Sequence, residues 1–497
     1  MYFCQRSTSF SRSSILSSRV SFLSSIGWWL IGALVAVLPA RAQTPYAPTW
    51  TSLDRRPIPA WFTDAKFGIF IHWGVYSVPA YRPVSPRPYE TYAEWYGADV
   101  YGNAALRQSF HDKNYGPTFT YRDFGPLFRV ELFDPARWAD LFARAGARYV
   151  VLTAKHHDGY CLWPTTAPYK QQWHSGVVGP KRDLAGELAQ AVRARGLKMG
   201  FYYSLLEWES TSTANRPSGY YLPKADIEKY RIPDAQYVEK NSLWQLKELV
   251  TTYRPALLFA DGEWDRSAAY WRSPEFLAWL YNEAPNKDEV IVNDRWGQGT
   301  RGQHGGYYTS EYASDNEKVG VQHPWEESRG MGQSYGFNRA ENIENYSTSA
   351  QLVHQLIDIV SRGGNLLLNI GPAADGTIPV LMQERLVDIG RWLAINGEAI
   401  YGTRAWAPGA AKGAPQSLYY TAKGQDVYVL TTSWPTAPFV VAGVPAASHP
   451  TVTLLGSAVP VTYTTQRGQL LVQPPVLTLA QAPCQFAYVF KVHRADR

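Results

Sequence analysis

Cysteine is scarce in this 497-residue chain, which has only Cys4, Cys161 and Cys484. Three thiols so far apart exclude a disulfide framework and a cysteine-ligated metal cluster. One bridge between Cys161 and Cys484 is permitted in an oxidising compartment, but no pattern in the sequence indicates it.

Long apolar runs are missing after the N-terminal segment, so no membrane-spanning helix is predicted there. Residues 1–42 carry four arginines and no acidic residue, and the short apolar run Trp28–Leu38 leads to Ala40-Arg41-Ala42. This order is typical of a secretory signal with a small-x-small cleavage site. We predict an exported protein, periplasmic or extracellular, with no membrane attachment after cleavage; an uncleaved anchor is the alternative.

The mature chain also lacks an excess of either charge. The formal net charge is +6, from 48 basic and 42 acidic residues, and removal of the four arginines of residues 1–42 leaves 44 against 42, a net of +2. A nearly neutral protein has no electrostatic footprint for nucleic acid or anionic membrane. We therefore predict no nucleic-acid partner.

Short apolar runs alternate with amphipathic stretches from about residue 60 to 400. Continuous rather than alternating apolar runs are typical of strands covered on both faces. Repeated strand-then-helix units over such a length predict an α/β fold, a (β/α)8-like barrel of the TIM type. Six strands are placed in this way, whereas the sixth and seventh strands of the barrel have weak signals. The runs are Phe67–His72, Tyr149–His157, Leu197–Ser204, Ala256–Asp261, Glu289–Asp294 and Asn365–Ile370.

Four helices are predicted between these strands, whereas no helical pattern is found after about residue 404. Helical patterns cover Asp134–Gly146, Asp183–Gly196, Tyr237–Tyr253 and Ser349–Gly363. Beyond them, short strand-like runs separated by turns predict a small antiparallel β-sandwich. We assign residues 1–42 to the signal peptide, 43–403 to the barrel and 404–497 to the sandwich. The sandwich either braces the barrel or binds carbohydrate.

Polar side chains follow the predicted strands where each strand ends. They are His72, His156, His157, Tyr203, Asp261 and Arg295. Strand ends of a barrel meet at one mouth, where barrel enzymes hold their catalytic groups. The sequence has no G-x-S-x-G elbow and no phosphate-binding glycine loop. Because His156 and His157 are adjacent, we expect them to point to opposite sides of a strand, which disfavours a metal site. Paired carboxylates among hydroxyl-binding side chains fit glycoside hydrolysis better.

Nine sequence blocks, in order from about residue 50 to 405, resemble glycoside hydrolase family 29, the α-L-fucosidases. Two of them, Asp261-Gly-Glu-Trp and Asn293-Asp-Arg-Trp-Gly-Gln, resemble the broad-specificity branch that includes the animal lysosomal enzymes. The others are Trp61 to Gly74, Glu94-Trp-Tyr, Lys155-His-His-Asp-Gly-Tyr, Tyr202 to Trp208, Gly305-Gly-Tyr-Tyr, Gly363 to Pro372 and Ile395 to Tyr401. Two departures are visible: Cys161 follows the third block, and Tyr160 stands where phenylalanine is common.

The resemblance implies a catalytic barrel, a C-terminal β-sandwich, retention of configuration, and no cofactor or metal. It implies that Asp261 is the nucleophile and Glu311 the acid/base, with Glu326 as the alternative acid/base. Tyr203 is placed among the substrate-binding residues with Tyr202 as its alternative. The substrate-binding set is His72, Glu94, Trp95, His156, His157, Tyr203, Arg295 and Tyr335.

The expected activity is the removal of terminal α-L-fucose from fucosylated oligosaccharides or glycoproteins. Three alternatives remain at this stage: a fucosidase strict for α-1,3/1,4-linked fucose on branched glycans, a fucose-binding protein without activity, and a metal-dependent barrel hydrolase. The sequence leaves the oligomeric state open.

Overall fold

A computed structural model describes residues 44–87, 90–208, 228–312, 323–406, 418–445 and 449–494. The predicted signal peptide lies outside the described residues. Residues 45–497 form one compact unit. Across the part of the chain that is described, no helix has the length and apolar character needed to cross a membrane.

The first part of the chain forms an eight-stranded sheet in which all paired strands are parallel. Its spatial order is β5-β4-β3-β2-β1-β8-β7-β6, so β1 lies beside β8, and consecutive strands are neighbours except for β5 and β6 at the two edges. This is the strand order of a (β/α)8-like barrel, as predicted. The strands are β1 Phe67–Ile71, β2 Tyr149–Lys155, β3 Lys198–Ser204, β4 Leu257–Asp261, β5 Ile291–Val292, β6 Tyr308–Glu311, β7 Trp325–Gly330 and β8 Asn365–Ile370.

The edge strands β5 and β6 share no ladder pair among the described residues. Backbone hydrogen bonds instead connect the end of β5 to the two residues that precede β6. The carbonyl oxygen of Val292 accepts hydrogen bonds from the N–H groups of Gly306 and Tyr307, at 3.1 and 3.2 Å. A Cβ atom on Gly306 would lie 2.6 Å from that oxygen, a clash that any residue other than glycine would cause. Gly306 therefore permits the approach of the two edges.

Among the described residues, six helices of ten or more residues accompany the strands. They are α1 Pro135–Arg144, α2 Leu184–Ala194, α3 Leu243–Tyr253, α4 Ser273–Asn282, α5 Ser349–Ser361 and α6 Val380–Asn396. Asp134 caps α1 by accepting from the N–H groups of Ala136 and Arg137, each at 3.0 Å. The helix predicted over Tyr237–Tyr253 is interrupted, because Val238–Ser242 forms a π-helical turn before α3.

Shorter helical segments lie in the barrel, and one lies in the C-terminal part of the chain. The α-helical ones are Trp50–Leu53, Ala60–Ala65, Tyr96–Gly102, Ala104–Leu106, Asp112–Tyr115, Asp234–Tyr237 and Ala268–Trp271. The 3-10 segments are Val75–Ser77, Ala93–Trp95, Tyr121–Leu127, Glu263–Asp265, Ile343–Asn345, Gly397–Ala399 and Leu479–Gln481, and Arg107–His111 is a second π-helical turn.

The C-terminal part is an antiparallel β-sandwich. A five-stranded sheet has the order β13-β16-β11-β10-β9 and faces a three-stranded sheet of order β12-β15-β14. The strands are β9 Arg404–Ala405, β10 Leu418–Lys423, β11 Asp426–Thr431, β12 Phe439–Pro445, β13 Thr451–Leu454, β14 Thr462–Gln466, β15 Gln469–Gln473 and β16 Tyr488–His493.

The five-stranded sheet is buried on both faces. Val427 and Val429 of β11 belong to the core between the two sheets, whereas the alternate residues Tyr428 and Leu430 pack into the hydrophobic core of the barrel. The indole N–H of Trp392 in α6 donates to the carbonyl of Ala487 at 2.9 Å. Because side chains alternate along a strand, one face of the five-stranded sheet packs on the three-stranded sheet and the other face packs on the barrel helices.

Cys161 and Cys484 are free thiols, the first buried and the second half-buried. Burial of Cys161 raises the pKa of its thiol. The bridge that the composition permitted is therefore not formed.

Candidate active site

A cavity of about 480 Å³ opens where the barrel strands end. Nine of the ten predicted site residues line it: His72, Glu94, Trp95, His156, His157, Asp261, Arg295, Glu311 and Tyr335. They come from six strands or from the segments that directly follow them, and from the short helix Ala93–Trp95. The tenth residue, Tyr203, lies elsewhere.

Arg295 joins the two carboxylates of the site. Its Nη1 lies 2.9 Å from Oδ1 of Asp261, and its Nη2 lies 3.1 Å from Oε2 of Glu311. Its Nε donates to Oγ1 of Thr309 at 2.9 Å, and that hydroxyl donates to Asp294 at 2.7 Å. A planar guanidinium has donors on two sides and can hold both carboxylates at once.

Asp261 is held as an anion in a buried place. Burial opposes its ionisation, yet the Arg295 guanidinium and the hydroxyl of Tyr202 together hold the pKa of Asp261 below its ordinary value. The Tyr202 hydroxyl donates to Oδ2 at 2.6 Å, and Nε2 of His157 lies 3.7 Å from the same oxygen. This carboxylate is therefore available as a nucleophile at neutral pH.

Glu311 ends β6 and has both oxygens in contact with donors. The hydroxyl of Tyr92 donates to Oε1 at 2.9 Å, and Arg295 contacts Oε2. The side chain of Glu311 is half-buried, more open to the cavity than that of Asp261. A carboxyl group at this border can exchange protons with solvent.

The three histidines are uncharged. Burial lowers the pKa of His72 to about 3, that of His157 to about 4, and that of His156 well below its ordinary value. Nδ1 of His72 lies 2.7 Å from Oδ1 of Asn369, whose amide donates to the carbonyl of Tyr335. From this network we assign the proton of His72 to Nδ1, so that its Nε2 is an acceptor.

The expectation that His156 and His157 point to opposite sides of a strand is wrong. Strand β2 ends at Lys155, so both histidines lie in the turn beyond it, and both line the cavity. Nδ1 of His157 lies 2.6 Å from the Ser204 hydroxyl, whereas Nδ1 of His156 is buried without a hydrogen-bond partner. A buried ring nitrogen of this kind is ready to bind a polar ligand. Within the described ranges, no group of three His, Cys, Asp or Glu side chains could hold a metal ion.

Glu94 and Trp95 line the cavity from the short helix Ala93–Trp95. One oxygen of Glu94 accepts from the N–H of Gly336 at 2.8 Å and from the Ser334 hydroxyl at 3.3 Å. Burial raises the pKa of Glu94 to about 7. Trp95 packs edge-on against His157, with ring centroids 5.2 Å apart.

The placement of Tyr203 in the site is corrected by the structure. Side chains alternate along β3, so that Tyr202 points into the barrel and Tyr203 points out toward the helices. The Tyr203 hydroxyl donates to Gln245 of α3 at 2.8 Å, and Lys155 lies over its ring at 4.0 Å. Tyr202, the alternative from the sequence, lines the cavity.

Glu326, the alternative acid/base, lies inside the barrel below the site. Its Oε2 accepts a hydrogen bond from Tyr149 at the start of β2, and burial raises its pKa to about 8. It does not line the cavity, whereas Ser328, two residues further along β7, does. Of the two candidates, Glu311 is the one that contacts Arg295, the residue that also contacts Asp261.

Sequence reasoning missed several lining residues, among them Tyr92, Phe259 and Ser328. Phe259 precedes Asp261 by two positions on β4, so strand alternation could have placed it on the same face. Tyr92 precedes the Glu94-Trp95 block, and Ser328 lies on a polar strand with no apolar pattern. The remaining missed residues are Phe70, Arg82, Asp99, Trp264 and Arg301.

Two carboxylates bridged by one cation, in a cavity of uncharged histidines and aromatic rings at the mouth of a parallel barrel, define the site class of a glycoside hydrolase. Comparison with known proteins narrows the class. A family model described as Alpha-L-fucosidase matches residues 33–398, and one described as Alpha-L-fucosidase C-terminal domain matches residues 413–493.

Curated and solved relatives agree with these matches. The α-L-fucosidase of Branchiostoma floridae is 42% identical over 92% of this chain and 98% of its own, and the tissue α-L-fucosidase of Homo sapiens is 41% identical over 93% and 95%. The crystal structure of a Thermotoga maritima α-fucosidase in complex with fucose has a TM-score of 0.76 and 37% identity, and the match covers 90% of this chain and 100% of that chain. This chain belongs to the α-L-fucosidases of glycoside hydrolase family 29.

Proposed function

We propose that this enzyme is a retaining exo-α-L-fucosidase of broad specificity, in which Asp261 is the nucleophile and Glu311 the acid/base. The observation that carries the proposal is the contact of Arg295 with both carboxylates, at 2.9 and 3.1 Å. Retaining glycosidases hold their two carboxyl groups about 5–5.5 Å apart. A shared guanidinium supports such a spacing, because it cannot contact two distant groups.

Fucose recognition is proposed for the neutral polar groups around this pair. The Nε2 acceptor of His72, the unpartnered Nδ1 of His156 and the Glu94 carboxyl are suited to sugar hydroxyls. Trp95 and Tyr335 line the same cavity with aromatic surface, as do the rings of Phe70 and Phe259. The apolar surface suits the 6-methyl group of fucose. The Thermotoga maritima relatives with fucose and with a mechanism-based inhibitor support this ligand class.

In the first step, the Asp261 carboxylate attacks the anomeric carbon as the bond from that carbon to the glycosidic oxygen breaks. A proton on Glu311 passes to the departing oxygen. For this step Oε2 of Glu311 must leave its contact with Nη2 of Arg295 and carry the proton. Arg295 keeps its contact with Asp261, and a covalent fucosyl ester forms.

In the second step, water replaces the leaving group. Glu311, now a carboxylate, takes a proton from this water as its oxygen attacks the anomeric carbon, and the ester bond to Asp261 breaks. Fucose leaves with its original configuration after two inversions. The Tyr202 hydroxyl stabilises the released Asp261 carboxylate by the hydrogen bond already present at 2.6 Å.

The setting of the reaction is proposed from the N-terminal pattern. Residues 1–42 are the export signal, and the enzyme acts in the periplasm or outside the cell on fucosylated oligosaccharides or glycoproteins. N-terminal sequencing of the exported protein should begin at Gln43.

The test is hydrolysis of 4-nitrophenyl α-L-fucoside by residues 43–497, with Asp261→Gly and Glu311→Ala as variants. We expect robust wild-type turnover, a loss of roughly 10³-fold or more in Asp261→Gly, and rescue of that variant by azide as inverted β-fucosyl azide. Glu311→Ala should lose most of its activity toward glycans, because their leaving oxygen needs a proton.

Other outcomes separate the alternatives. Turnover only of branched α-1,3/1,4-fucosylated oligosaccharides would contradict broad specificity. Full activity of Glu311→Ala would move the acid/base role to Glu326. Loss of activity with a chelator would support a metal-dependent hydrolase.

A further inference from the structure

Two side chains at the outer edge of the cavity have no role in the mechanism above. Trp264 and Arg301 are exposed, whereas the other lining residues are buried or half-buried. Trp264 is 42% exposed, which is unusual for so large an apolar ring beside a deeply buried nucleophile. A ligand that reached beyond the fucose pocket would meet this ring.

Trp264 is held firmly although it is exposed. It follows Asp261 by three positions, and its ring packs edge-on against His157 with centroids 5.6 Å apart. Its carbonyl oxygen accepts from Nε2 of Gln298 at 2.9 Å, and the N–H of Gln298 donates to the carbonyl of Arg266 at 2.9 Å. The segment that carries Trp264 is therefore clamped to the segment that follows Arg295.

A glycine makes this clamp possible. Gly297 has φ of +147°, and a Cβ atom there would lie 2.3 Å from the backbone nitrogen of Ala268. Only glycine permits that approach, so the segment that carries Trp264 and the segment that follows Arg295 are in close backbone contact. A ring fixed before its ligand arrives loses little conformational entropy on binding.

The cavity has the size of a typical small-molecule pocket. Its volume of about 480 Å³ falls within the range of about 300–1,000 Å³ found for pockets that bind drug-sized ligands, which are larger than a single fucose. The buried residues account for the inner part, where the carboxylate pair lies. The outer part is bounded by the Trp264 ring and by the cationic Arg301.

We propose that Trp264 is the platform for the leaving-group sugar. The inference rests on the fucosidase activity proposed above and assigns a residue to the recognition of the sugar from which α-L-fucose is removed. The apolar C–H face of a pyranose packs on a flat indole by dispersion and burial of apolar surface. Fucosides with small leaving groups cannot use this platform.

The test compares two substrates, α-L-fucosyl-(1→2)-lactose and α-L-fucosyl fluoride, in wild type, Trp264→Ala and Trp264→Phe. The measured quantity is the ratio of kcat/KM for the oligosaccharide to kcat/KM for the fluoride. We expect Trp264→Ala to lower this ratio by about tenfold, the size of one aromatic packing contact. Trp264→Phe, which keeps a flat ring, should stay within about threefold of wild type.

Trp244 offers a matched control. It is 45% exposed, lies on α3, and its indole N–H donates to the Thr166 hydroxyl at 3.0 Å, away from the cavity. Trp244→Ala should leave the substrate ratio at its wild-type value. The melting temperature of each variant, measured in parallel, shows whether it is folded.

The outcomes distinguish the platform from the underlying activity. An unchanged ratio in a folded, active Trp264→Ala would overturn the platform. Equal losses on both substrates would also overturn it and assign Trp264 to the fucose pocket. Failure of the wild type on both substrates would instead overturn the fucosidase proposal itself.

Discussion

Arg295 shows how one residue sets the charge of the whole site. It is almost fully buried, and such a position opposes its charge, yet Asp261, Glu311 and Glu263 around it raise the pKa of the guanidinium above its ordinary value. The same contacts lower the pKa of Asp261. Lysine could not replace it, because a point charge lacks the planar set of donors that contacts two carboxylates and Thr309 together.

At the residue scale, two adjacent tyrosines make a matched pair. Tyr202→Phe removes the hydroxyl that donates to Asp261 at 2.6 Å, and Tyr203→Phe removes the one that donates to Gln245. Because a hydrogen bond to a charged group contributes about 1.5–3 kcal/mol, we expect Tyr202→Phe to lower kcat/KM by roughly 10- to 100-fold. Steady-state kinetics with 4-nitrophenyl α-L-fucoside measures this loss.

Tyr203→Phe serves as the control. It should leave kcat/KM near the wild-type value and lower the free energy of unfolding by about 1–3 kcal/mol, since the buried amide oxygen of Gln245 loses a donor. A large kinetic loss in Tyr203→Phe with none in Tyr202→Phe would show that our correction of the site is mistaken.

At the element scale, β7 carries a carboxyl group into the barrel interior. Glu326 is fully enclosed near the start of the strand, and burial raises its pKa to about 8 from an ordinary value of 4.5. It is therefore neutral in the fold at pH 7 and ionised in the unfolded chain. The folded state binds more protons than the unfolded state between these values, so this residue lowers stability as pH rises from 4.5 through 8.

Glu326→Gln should remove that pH dependence, because the amide is neutral at every pH and has the shape of the protonated acid. We expect the variant to gain stability over wild type at pH 8.5, on the order of 4–5 kcal/mol, and to differ little at pH 4.5. Thermal unfolding of both proteins across this pH range measures the difference.

Glu384 is a control on the surface of α6, where its side chain is 59% exposed. Glu384→Gln should follow the wild-type pH profile. A Glu326→Gln profile parallel to wild type would show that Glu326 does not carry its proton in the fold.

At the scale of the whole molecule, the sandwich braces the barrel. One face of its five-stranded sheet packs against the barrel, with Tyr428, Leu430 and Val489 in the barrel core. The Thr421 hydroxyl donates to the carbonyl of Ala399 at 2.7 Å across the same boundary. Apolar surface buried on this scale stabilises both parts together, which favours bracing among the two roles that the sequence left open.

A single charge at this boundary tests the coupling. Val489 is fully buried, so Val489→Asp places an unpaired carboxylate there, and we expect a loss of about 3–5 kcal/mol in the free energy of unfolding. Val476 is 96% exposed, and Val476→Asp should be nearly neutral. Because β16, which carries Val489, also packs against the barrel, fucoside hydrolysis should fail at the temperature at which the sandwich unfolds. Retained activity after the sandwich has unfolded would contradict bracing.

Strands that are apolar throughout were predictable from sequence, and polar strands were not. Strands β1, β2, β4 and β8 are buried on both sides and read as continuous apolar runs. Strand β7 reads Trp-Glu-Glu-Ser-Arg-Gly and is buried all the same, because its polar groups find hydrogen-bond partners inside the barrel and at its mouth. No period of hydrophobicity indicates such a strand.

The sequence alone determined the barrel, the sandwich, the family and nine of the ten predicted lining residues, because strand ends and sequence blocks are local features. Only the tertiary structure decided which way a side chain points and what it meets. Tyr202 and Tyr203 are adjacent in sequence but point to opposite faces of β3, so only Tyr202 reaches the cavity. Arg295 and Glu311 are 16 positions apart. Arg295 contacts both Asp261 and Glu311 only because β4, the segment after β5 and the end of β6 converge at one mouth.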